Sequence, residues 1–578
     1  MKLLKFLIGL CLGALMIVLP VSQFQTSPLE PLQTLAVQLD GRKKPLDTVA
    51  LETVSKIHGS ASYKQADGSK LDYLKTYLSL SFNDRDWNQE PFILFTYRPL
   101  KERAGLDAEQ KYFSFQTLLK SQGLADVVAT AHDKQVNDQD LSRDEREALT
   151  IEERVEAMLQ TVGQDDLPIV PHPTEKKGKW LSLATANQSY SEDQIAPLAA
   201  QHQTLVQTYD AANPDLTPVV QAATALHDGL AQLSPTIYPA MVDLQREVHF
   251  HHFHAFAKAW MIYAVAFVAM LLTLWLKSFD LYWGAIGIFC AGIAVNSYGF
   301  LLRMQVAGRP PVTNMYESVV WVGFGIAALA LLFELTSRAR YFLLAAAPLS
   351  VLSLVMADRL PAVLDSSIAP LVPVLRDNFW LSIHVPTITL SYASFALALG
   401  LGHVALGYTL WAPNQTKRVQ ALSQLTYRVI QVGVLLLTTG IILGGVWAHV
   451  SWGRFWGWDP KETWALIALL CYLIPLHGRL VGWIGNFGIN VASIVAFNAV
   501  LMAWYGVNFV LGTGLHSYGF TTGGSELTIV TVVGIDLLFV SVASLRYMRS
   551  RSKPATVGLE AVAKAATMTI SDDVLEVG

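Results

Sequence analysis

The feature that most constrains the fold is a series of long apolar runs in the second half of the chain. A helix needs about 20 residues to cross a bilayer. Nine runs reach or approach this length, at 256–276, 281–301, 317–336, 341–357, 384–411, 429–449, 463–482, 484–508 and 526–545. The fourth run is short, and the seventh contains Pro475. The runs predict an all-α polytopic membrane protein with about nine core transmembrane helices.

The rest of the chain divides into an apolar start, a long polar region and a polar tail. The start places Lys2 and Lys5 before an apolar run, which suits a signal peptide or a retained anchor. The absence of a clear A-x-A-like cleavage site favours the anchor. We therefore predict four parts: an anchor or signal segment at 1–24, a helix-rich extracytoplasmic domain at 25–250, a transmembrane domain at 251–548 and a cytoplasmic tail at 549–578.

The distribution of basic residues predicts the orientation in the membrane. Short loops rich in Lys and Arg stay in the cytoplasm. Alternating loops carry Lys277, Arg338, Arg340, Lys417, Arg418, Arg428, Arg546, Arg549, Arg551 and Lys553. Opposite loops also contain arginines, but mostly beside acidic residues. With the anchor retained, ten spans place both termini in the cytoplasm of a bacterium and residues 25–250 outside its cytoplasmic (inner) membrane.

Composition excludes several other classes. The formal net charge of the 578 residues is −4, and no basic run of the kind that nucleic-acid binding needs is present. All three cysteines lie in apolar segments, so disulfides cannot staple the polar region. The chain contains no C-x-x-C-H, and it is therefore not itself a c-type cytochrome.

The strongest local signal is a tryptophan-rich segment within residues 447–464, on the predicted outer face. Trp452, Trp456, Trp458 and Trp464 fall within 13 residues, although the whole chain has 15 tryptophans. An interfacial aromatic belt is the ordinary explanation, but a belt spreads its aromatics over many helix ends. Two glycines separate three of these indoles beside Arg454 and Asp459. Such an apolar, π-rich surface with polar groups suits a planar macrocycle that carries carboxylates.

Three histidines deserve a functional interpretation alongside this segment. His384, at the outer end of the fifth span, and His516, beyond the eighth, fall on the same face as the tryptophans. Two imidazoles can fill both axial positions of haem iron. His477 falls within the seventh span, nearer the cytoplasm, where an ionisable group suggests function. The alternative is that the helix ends at Leu476, which leaves His477 as an ordinary interfacial residue.

Two other histidine features have ordinary explanations. Four histidines stand between His249 and His254, just before the first core span. They could bind a metal or a second haem, although such juxtamembrane runs are more often interfacial segments. His449, just before the tryptophan-rich segment, is interpreted as structural.

At this point the sequence resembles the CcsA family (also called ResC or CcsB) of system II cytochrome c biogenesis, a haem-handling group named after its "WWD" signature. The resemblance covers roughly residues 256–545 and is most specific from Trp452 to Glu462. Residues 308–318 (GRPPVTNMYES) also resemble this family, and residues 40–48 (DGRKKPLDT) do so less specifically.

The resemblance implies a mechanism in which haem b reaches the outer face and meets apocytochrome c there. His384 and His516 match the family's two external haem ligands, and His477 matches the transmembrane histidine of this subunit. The second transmembrane histidine normally belongs to a ResB-like (CcsB-like) membrane subunit. This chain shows no ResB-like spans, so we expect it to need that partner, and thiol-reducing proteins outside the membrane.

In this scheme the residues are expected to bind and position the haem, and none is assigned a role as a catalytic acid or base. Trp452, Trp456 and Trp458 would supply an apolar face, Arg454 would bind a propionate, and Asp459 would fix the loop. The complex would be a holocytochrome c synthase (haem lyase) that adds two C-x-x-C-H thiols to the haem vinyl groups.

Three rival functions use overlapping features. A haem exporter or chaperone without ligation would need the same ligands. An electron-transfer cytochrome b would need paired histidines inside facing helices, and a quaternary-ammonium transporter would not need His384 and His516.

Overall fold

A computed structural model describes residues 2–18, 29–65, 67–137, 139, 141–163, 166–209, 215–276, 279–360, 364–511, 514–516 and 526–551. Within these ranges nine helices are long and apolar enough to cross a membrane. The prediction of an all-α polytopic membrane protein is thus confirmed.

The region after the N-terminal helix is built mainly from short helices. Helices α2 to α10 are Glu30–Gln33, Leu46–His58, Tyr73–Phe82, Arg98–Arg103, Phe115–Leu119, Gln122–Val136, Arg143–Leu159, Glu192–Thr208 and Thr217–Leu233. Three antiparallel strand pairs lie among them: β1 Ala36–Leu39 with β2 Arg42–Pro45, β3 Ser62–Lys64 with β4 Lys70–Asp72, and β5 Ile93–Leu94 with β6 Tyr112–Phe113. A short 3₁₀ helix lies at Ala186–Gln188.

This region has an apolar core of its own. Trp87, Phe92, Phe95 and Trp180 are fully buried in one cluster. Side chains cap the starts of α4, α6, α7 and α8, because the first amides of a helix lack partners within it. Asp72 caps α4 by accepting a bond from the Lys75 amide at 2.8 Å. The domain is therefore held by packing and capping, and all three cysteines of the chain are free thiols.

The second half is a bundle of long helices. They are α11 Met241–Phe253, α12 Ala255–Trp275, α13 Phe279–Ala307, α14 Met315–Ser337, α15 Phe342–Arg359, α16 Asn378–Trp411, α17 Thr416–Trp452, α18 Pro460–Leu480, α19 Asn486–Val495, α20 Phe497–Leu501 and α21 Glu526–Arg551. A π-helix, Met502–Leu511, continues α20, and a 3₁₀ helix at Pro373–Arg376 precedes α16. Helix α11 bends into α12 at His254, whose φ is 48°.

The helices extend beyond the apolar runs wherever polar residues can continue them. Helix α16 begins at Asn378 rather than at 384, because Asp377 caps it by accepting bonds from the amides of Phe379 and Trp380. Helix α17 begins at Thr416 rather than at 429, so more than three turns of mixed polar and apolar residues precede the apolar run. The fourth span is a full helix of 18 residues despite its short apolar run.

The N-terminal helix α1, Lys2–Val18, packs against α13 through small residues. A β-carbon added to Gly9 would lie 2.0 Å from the carbonyl oxygen of Gly284. One added to Gly287 would lie 2.3 Å from the carbonyl oxygen of Phe6. The two backbones therefore approach as closely as small-residue interfaces allow in membranes.

The motif at residues 40–48 joins the polar domain to the membrane bundle. Arg42, on β2, donates two bonds of 2.7 Å to the carboxylate of Glu247 on α11. Thr48 donates to the same carboxylate at 2.9 Å. Asp47 and Tyr73 both bond the ring of His252. This ionic contact, rather than a flexible linker, fixes the domain on the first membrane helix.

Candidate functional site

The tryptophan-rich segment is a seven-residue turn between two long helices. Helix α17 runs to Trp452, where Gly453 takes the left-handed conformation with a φ of 72° and ends it. Helix α18 begins at Pro460 with Asp459 as its N-cap. The non-helical part is thus 453–459, which is narrower than the predicted 447–464. Trp458 also has a positive φ of 58°, which is uncommon for a bulky residue.

A pocket opens beside this turn and holds about 1210 Å³ of space between atoms, its open mouth included. Its wall combines α14, α16, α17, α18 and the π-helix. Most of the wall is apolar, as is usual for ligand pockets. The residues relevant to chemistry in the wall are His384, Trp447, Trp452, Trp456, Lys461, Glu462, Asn508 and His516.

His384 enters the pocket from α16 in a fixed orientation. Its Nδ1 lies 2.9 Å from the carbonyl oxygen of Gly440 on α17, so Nδ1 carries the proton and donates. The lone pair is then on Nε2. A β-carbon on Gly444 would lie only 2.6 Å from the ring. The ring of Trp447 contacts the imidazole edge-on at 5.6 Å. Glycines on α17 thus make room for the imidazole, and a backbone carbonyl sets its tautomer.

His516 enters the same pocket from the loop after the π-helix, where residues 514–516 are described. Its Nδ1 donates to Asp459 at 2.8 Å, and its ring packs edge-on against Trp452 at 5.2 Å. The lone pair is again on Nε2. The structure thus brings together two histidines that are 132 positions apart in the sequence.

Asp459 is the residue that organises the loop. It accepts bonds from the amides of Lys461 at 2.9 Å and Leu515 at 2.6 Å, in addition to the bond from His516. Burial alone would raise the pKa of this carboxyl, but the hydrogen bonds from His516, Lys461 and Leu515 lower it to about 2. The carboxylate is therefore ionised at neutral pH and ties the start of α18 to the His516 loop.

The three expected tryptophans take different positions. Trp452 and Trp456 line the pocket. Trp458 is 69% exposed and packs edge-on against Trp456, with 5.8 Å between ring centroids. Arg454 forms an ion pair with Glu462 at 3.2 Å and lies over the ring of Trp452. The expected propionate partner therefore already has a carboxylate.

Three other residues of the pocket wall, Lys461, Trp447 and Asn508, were not predicted from the sequence. Lys461, in the first turn of α18, donates from Nζ to the side-chain oxygen of Asn508 at 3.1 Å. Trp447 is 8% exposed, and its Nε1 has no hydrogen-bond partner among the described residues. A signal for Asn508 was present, because polar side chains inside an apolar run are often functional. Lys461 gave no separate signal, because the sequence Asp-Pro-Lys-Glu around it is equally typical of an ordinary helix N-terminus.

His477 lies apart from the pocket, on the last turn of α18. About five helical turns, or roughly 27 Å, separate it from Asp459. Its Nδ1 donates to the carbonyl oxygen of Leu473 at 2.9 Å, and the side chain is exposed on the surface of the bundle. The helix continues to Leu480, so it does not end at Leu476.

The four histidines at 249–254 do not converge. His249 bonds Tyr298 at 3.0 Å, His252 bonds Asp47 at 3.2 Å, and the Nε2 atom of His251 is buried. Among the described residues no group of three or more histidine, cysteine or acidic side chains is arranged to hold a metal. His449 is exposed on α17. His252 thus contacts the polar domain, and His249 contacts α13 of the bundle.

Comparison with known proteins, together with the nine membrane-length helices of the described residues, defines a multi-pass membrane protein of cytochrome c assembly. The family model described as "Cytochrome C assembly protein" matches residues 312–516, which include the tryptophan-rich turn and both pocket histidines. Cytochrome c biogenesis protein CcsA of Prochlorococcus marinus is 37% identical over 254 residues, or 38% of this chain and 79% of that protein. CcsA of Synechococcus sp. is 34% identical over 299 residues, or 45% and 96%.

The chain therefore belongs to the CcsA family of cytochrome c biogenesis proteins. Protein NrfI of Wolinella succinogenes is 28% identical over 496 residues, which cover 83% of this chain. The same match covers 53% of NrfI, so this chain spans about half the length of that relative.

Proposed function

We propose that this chain receives haem b at the extracytoplasmic face of a bacterial cytoplasmic membrane and presents it for attachment to apocytochrome c. The observation that carries the proposal is the pairing of His384 and His516 in one tryptophan-walled pocket. Each imidazole donates from Nδ1 to a fixed protein acceptor, Gly440 or Asp459. A metal-ligating histidine typically donates such a hydrogen bond from its other ring nitrogen, which directs Nε2 to the metal.

The pocket suits a flat macrocycle that carries a metal. Trp452 and Trp456 offer indole faces, and the wall is mostly apolar. Two neutral imidazoles would occupy both axial positions of the iron and exclude oxygen from it. Haem is the substrate in this scheme, and the chain contributes orientation and a dry surface.

The attachment step needs proximity more than acid–base chemistry. Each cysteine thiol adds across one vinyl group, so that a carbon–sulfur bond forms and the thiol proton ends on the outer vinyl carbon. The addition is redox-neutral, but both cysteines must arrive as thiols. This requirement accounts for the expected thiol-reducing partners. Trp458 and Phe455, which are 69% and 50% exposed, offer an apolar surface for the incoming chain.

His477 supports the need for a second membrane subunit. Its imidazole is exposed on the outside of α18, far from the outer pocket. One histidine on a bundle surface supplies one axial ligand, so a haem site there would be completed by a ResB-like partner. Haem would then pass from that inner site to the outer pocket.

The orientation and the four-part division of the chain belong to the same proposal. The tryptophan-rich turn and the polar domain of residues 25–250 would lie outside, and the loops rich in Lys and Arg would lie inside.

The decisive experiment measures the reduced absorption spectrum of the chain purified with its ResB-like partner. We expect a haem signal that is lost or altered in the His384→Ala/His516→Ala variant. The matched control is His132→Ala, which removes an imidazole from the polar domain, 52% exposed, where it bonds Glu152. An unchanged spectrum in the double variant would refute the external ligands. Haem binding without attachment to a C-x-x-C-H reporter would instead favour an exporter or chaperone.

A further inference from the structure

The pocket contains one cation that the proposed mechanism does not use. Besides Tyr392, four ionisable residues line the wall: His384, Lys461, Glu462 and His516. The carboxylate of Glu462 accepts bonds from Arg454, from the Gly457 amide at 2.8 Å and from the Asp459 amide at 3.3 Å. Its charge is therefore already compensated.

Lys461 differs because its contact is neutral. Its ammonium donates to the amide oxygen of Asn508 at 3.1 Å. Within the described part of the chain, no carboxylate oxygen lies within 4.0 Å of Nζ. The neighbouring carboxylate of Asp459 bonds the Lys461 backbone amide, the Leu515 amide and His516 instead. An ammonium has three donors, so the bond to Asn508 leaves capacity for an anion.

Asn508 holds the lysine in place. Its side-chain nitrogen donates to the backbone oxygen of Trp504 at 2.9 Å, which turns its oxygen towards Lys461. Trp504 in turn donates from Nε1 to Ser318 at 2.9 Å. The cation is thus fixed by a chain of bonds through the π-helix to α14. A partly buried charge held in a mostly apolar wall is costly, and an anionic ligand would offset that cost.

Arg454, the other candidate cation, is unsuitable for this purpose. It is paired with Glu462, and its guanidinium fills the space beside Gly457, where a β-carbon would come within 1.7 Å of Nη1. To bind a ligand, Arg454 would have to break the ion pair that shapes the turn.

We propose that Lys461 binds a propionate of haem and thereby sets the rotation of the macrocycle in the pocket. The inference rests on the proposed haem function. Two axial imidazoles hold the iron but leave the ring free to turn about the axis that joins them. An anchor at the rim removes that freedom. Because haem b carries propionates on one half of its rim and vinyl groups on the other, a fixed propionate directs both vinyl groups away from Lys461, towards the incoming thiols.

The test compares haemin with haemin dimethyl ester, which keeps the ring, the iron and the vinyl groups but lacks free carboxylates. Both are titrated into haem-depleted chain with its ResB-like partner. Hydrogen bonds to charged groups contribute enough for about a tenfold or larger change in affinity. We expect the native protein to prefer haemin by at least about tenfold, and Lys461→Gln to lose this preference while keeping the axial-histidine spectrum.

Two further variants complete the design. Lys461→Arg should keep most of the preference, because it keeps the cation. Lys177→Gln is the matched control, since Lys177 is exposed in the polar domain. Attachment to the reporter should fall further in Lys461→Gln than haem binding does, because the vinyl groups are no longer directed.

The outcomes separate the two proposals. Equal affinity of the native protein for haemin and its ester overturns the role of Lys461, and this measurement needs no variant. A preference for haemin over the ester that persists undiminished in Lys461→Gln overturns it as well. A haemin spectrum that is unaffected by His384→Ala/His516→Ala, or a native protein that binds no haemin, overturns the proposed haem site itself.

Discussion

The bond between Asp459 and His516 gives the sharpest test of how the pocket works. In Asp459→Asn the side chain keeps one oxygen and gains an NH₂ group. The native carboxylate accepts from three donors, His516 Nδ1, the Leu515 amide and the Lys461 amide. The amide group can satisfy only one side of this set, and its nitrogen then faces another donor. Asparagine is itself a good N-cap, so helix α18 should still begin at the same place.

The magnitude follows from the charge of the acceptor. A hydrogen bond to a charged group contributes about 1.5–3 kcal/mol. Loss of the hydrogen bond to the non-ligating nitrogen of a metal-binding histidine typically lowers the affinity for the metal about 10- to 100-fold. We therefore expect haem to bind Asp459→Asn about 10- to 100-fold more weakly. The midpoint potential of the bound haem should rise, because an imidazole without its carboxylate is a poorer donor to iron.

The pH at which the effect appears also follows from the structure. The native pKa of Asp459, about 2, lies below the ordinary value near 3.8. A lowered carboxyl pKa stabilises the native state above the unfolded value and loses this contribution as the pH falls through the native value. The native carboxylate is thus fully charged from about pH 5 upward, and the difference from Asp459→Asn should persist throughout the neutral range.

The assay is a haemin titration followed by redox titration of the complex. Its control is Asp72→Asn, the same substitution at another helix N-cap, in the polar domain. The reasoning is refuted if Asp459→Asn binds haemin within about twofold of the native protein with an unchanged potential. An equal loss in Asp72→Asn would also refute it, because that position is remote from the pocket.

Three further predictions concern the rest of the chain. His477→Ala should leave binding of added haemin at the pocket of His384 and His516 unchanged. It should lower the haem content of the complex purified from cells, as measured by the pyridine haemochrome assay. Equal haem content in the native and variant complexes would contradict the proposed haem site at His477. Gly287→Leu should release α1, so that crosslinking between cysteines introduced into α1 and α13 is lost; we propose that α1 is a retained anchor, and mass spectrometry of the mature chain that lacked Gly9 would contradict this. Glu247→Ala should leave Arg42, whose side chain is only 19% exposed, without its carboxylate. We expect a cost of about 3 kcal/mol, the lower end of the range for buried ion pairs, and faster proteolysis at the domain junction. An unchanged cleavage pattern relative to Glu192→Ala would contradict this prediction.

Much of the fold could be predicted because the membrane restricts the choices. In a bilayer the backbone must satisfy its own hydrogen bonds, so long apolar runs become helices. The predicted run at 463–482 is α18, displaced by about three residues because Pro460 and Asp459 start the helix. The sequence did not predict the start of α17 at Thr416, because helical residues of mixed polarity leave no hydropathy signal.

The site could be predicted only in part. Histidines and tryptophans stand out by residue type and by face, and His384, Trp452, Trp456 and His516 do line one pocket. The pairing of Arg454 with Glu462 could not be read from the sequence, because it depends on the left-handed turn at Trp458 and on the close approach at Gly457. The lysine–asparagine pair joins residues 47 positions apart. Such pairs depend on how helices pack, which the pattern along one chain does not encode.

The π-helix at Met502–Leu511 has a consequence for how this segment tolerates insertions and deletions. A π turn holds one more residue than an α turn, and such turns are frequent at functional sites. Here Trp504 and Asn508 reach Ser318 and Lys461 from the same wide turn. Removing one residue would rotate everything beyond the deletion by about 100° about the helix axis. Substitutions should therefore be accepted here more readily than insertions or deletions. The number of residues in this segment, more than their identity, brings His516 to the pocket.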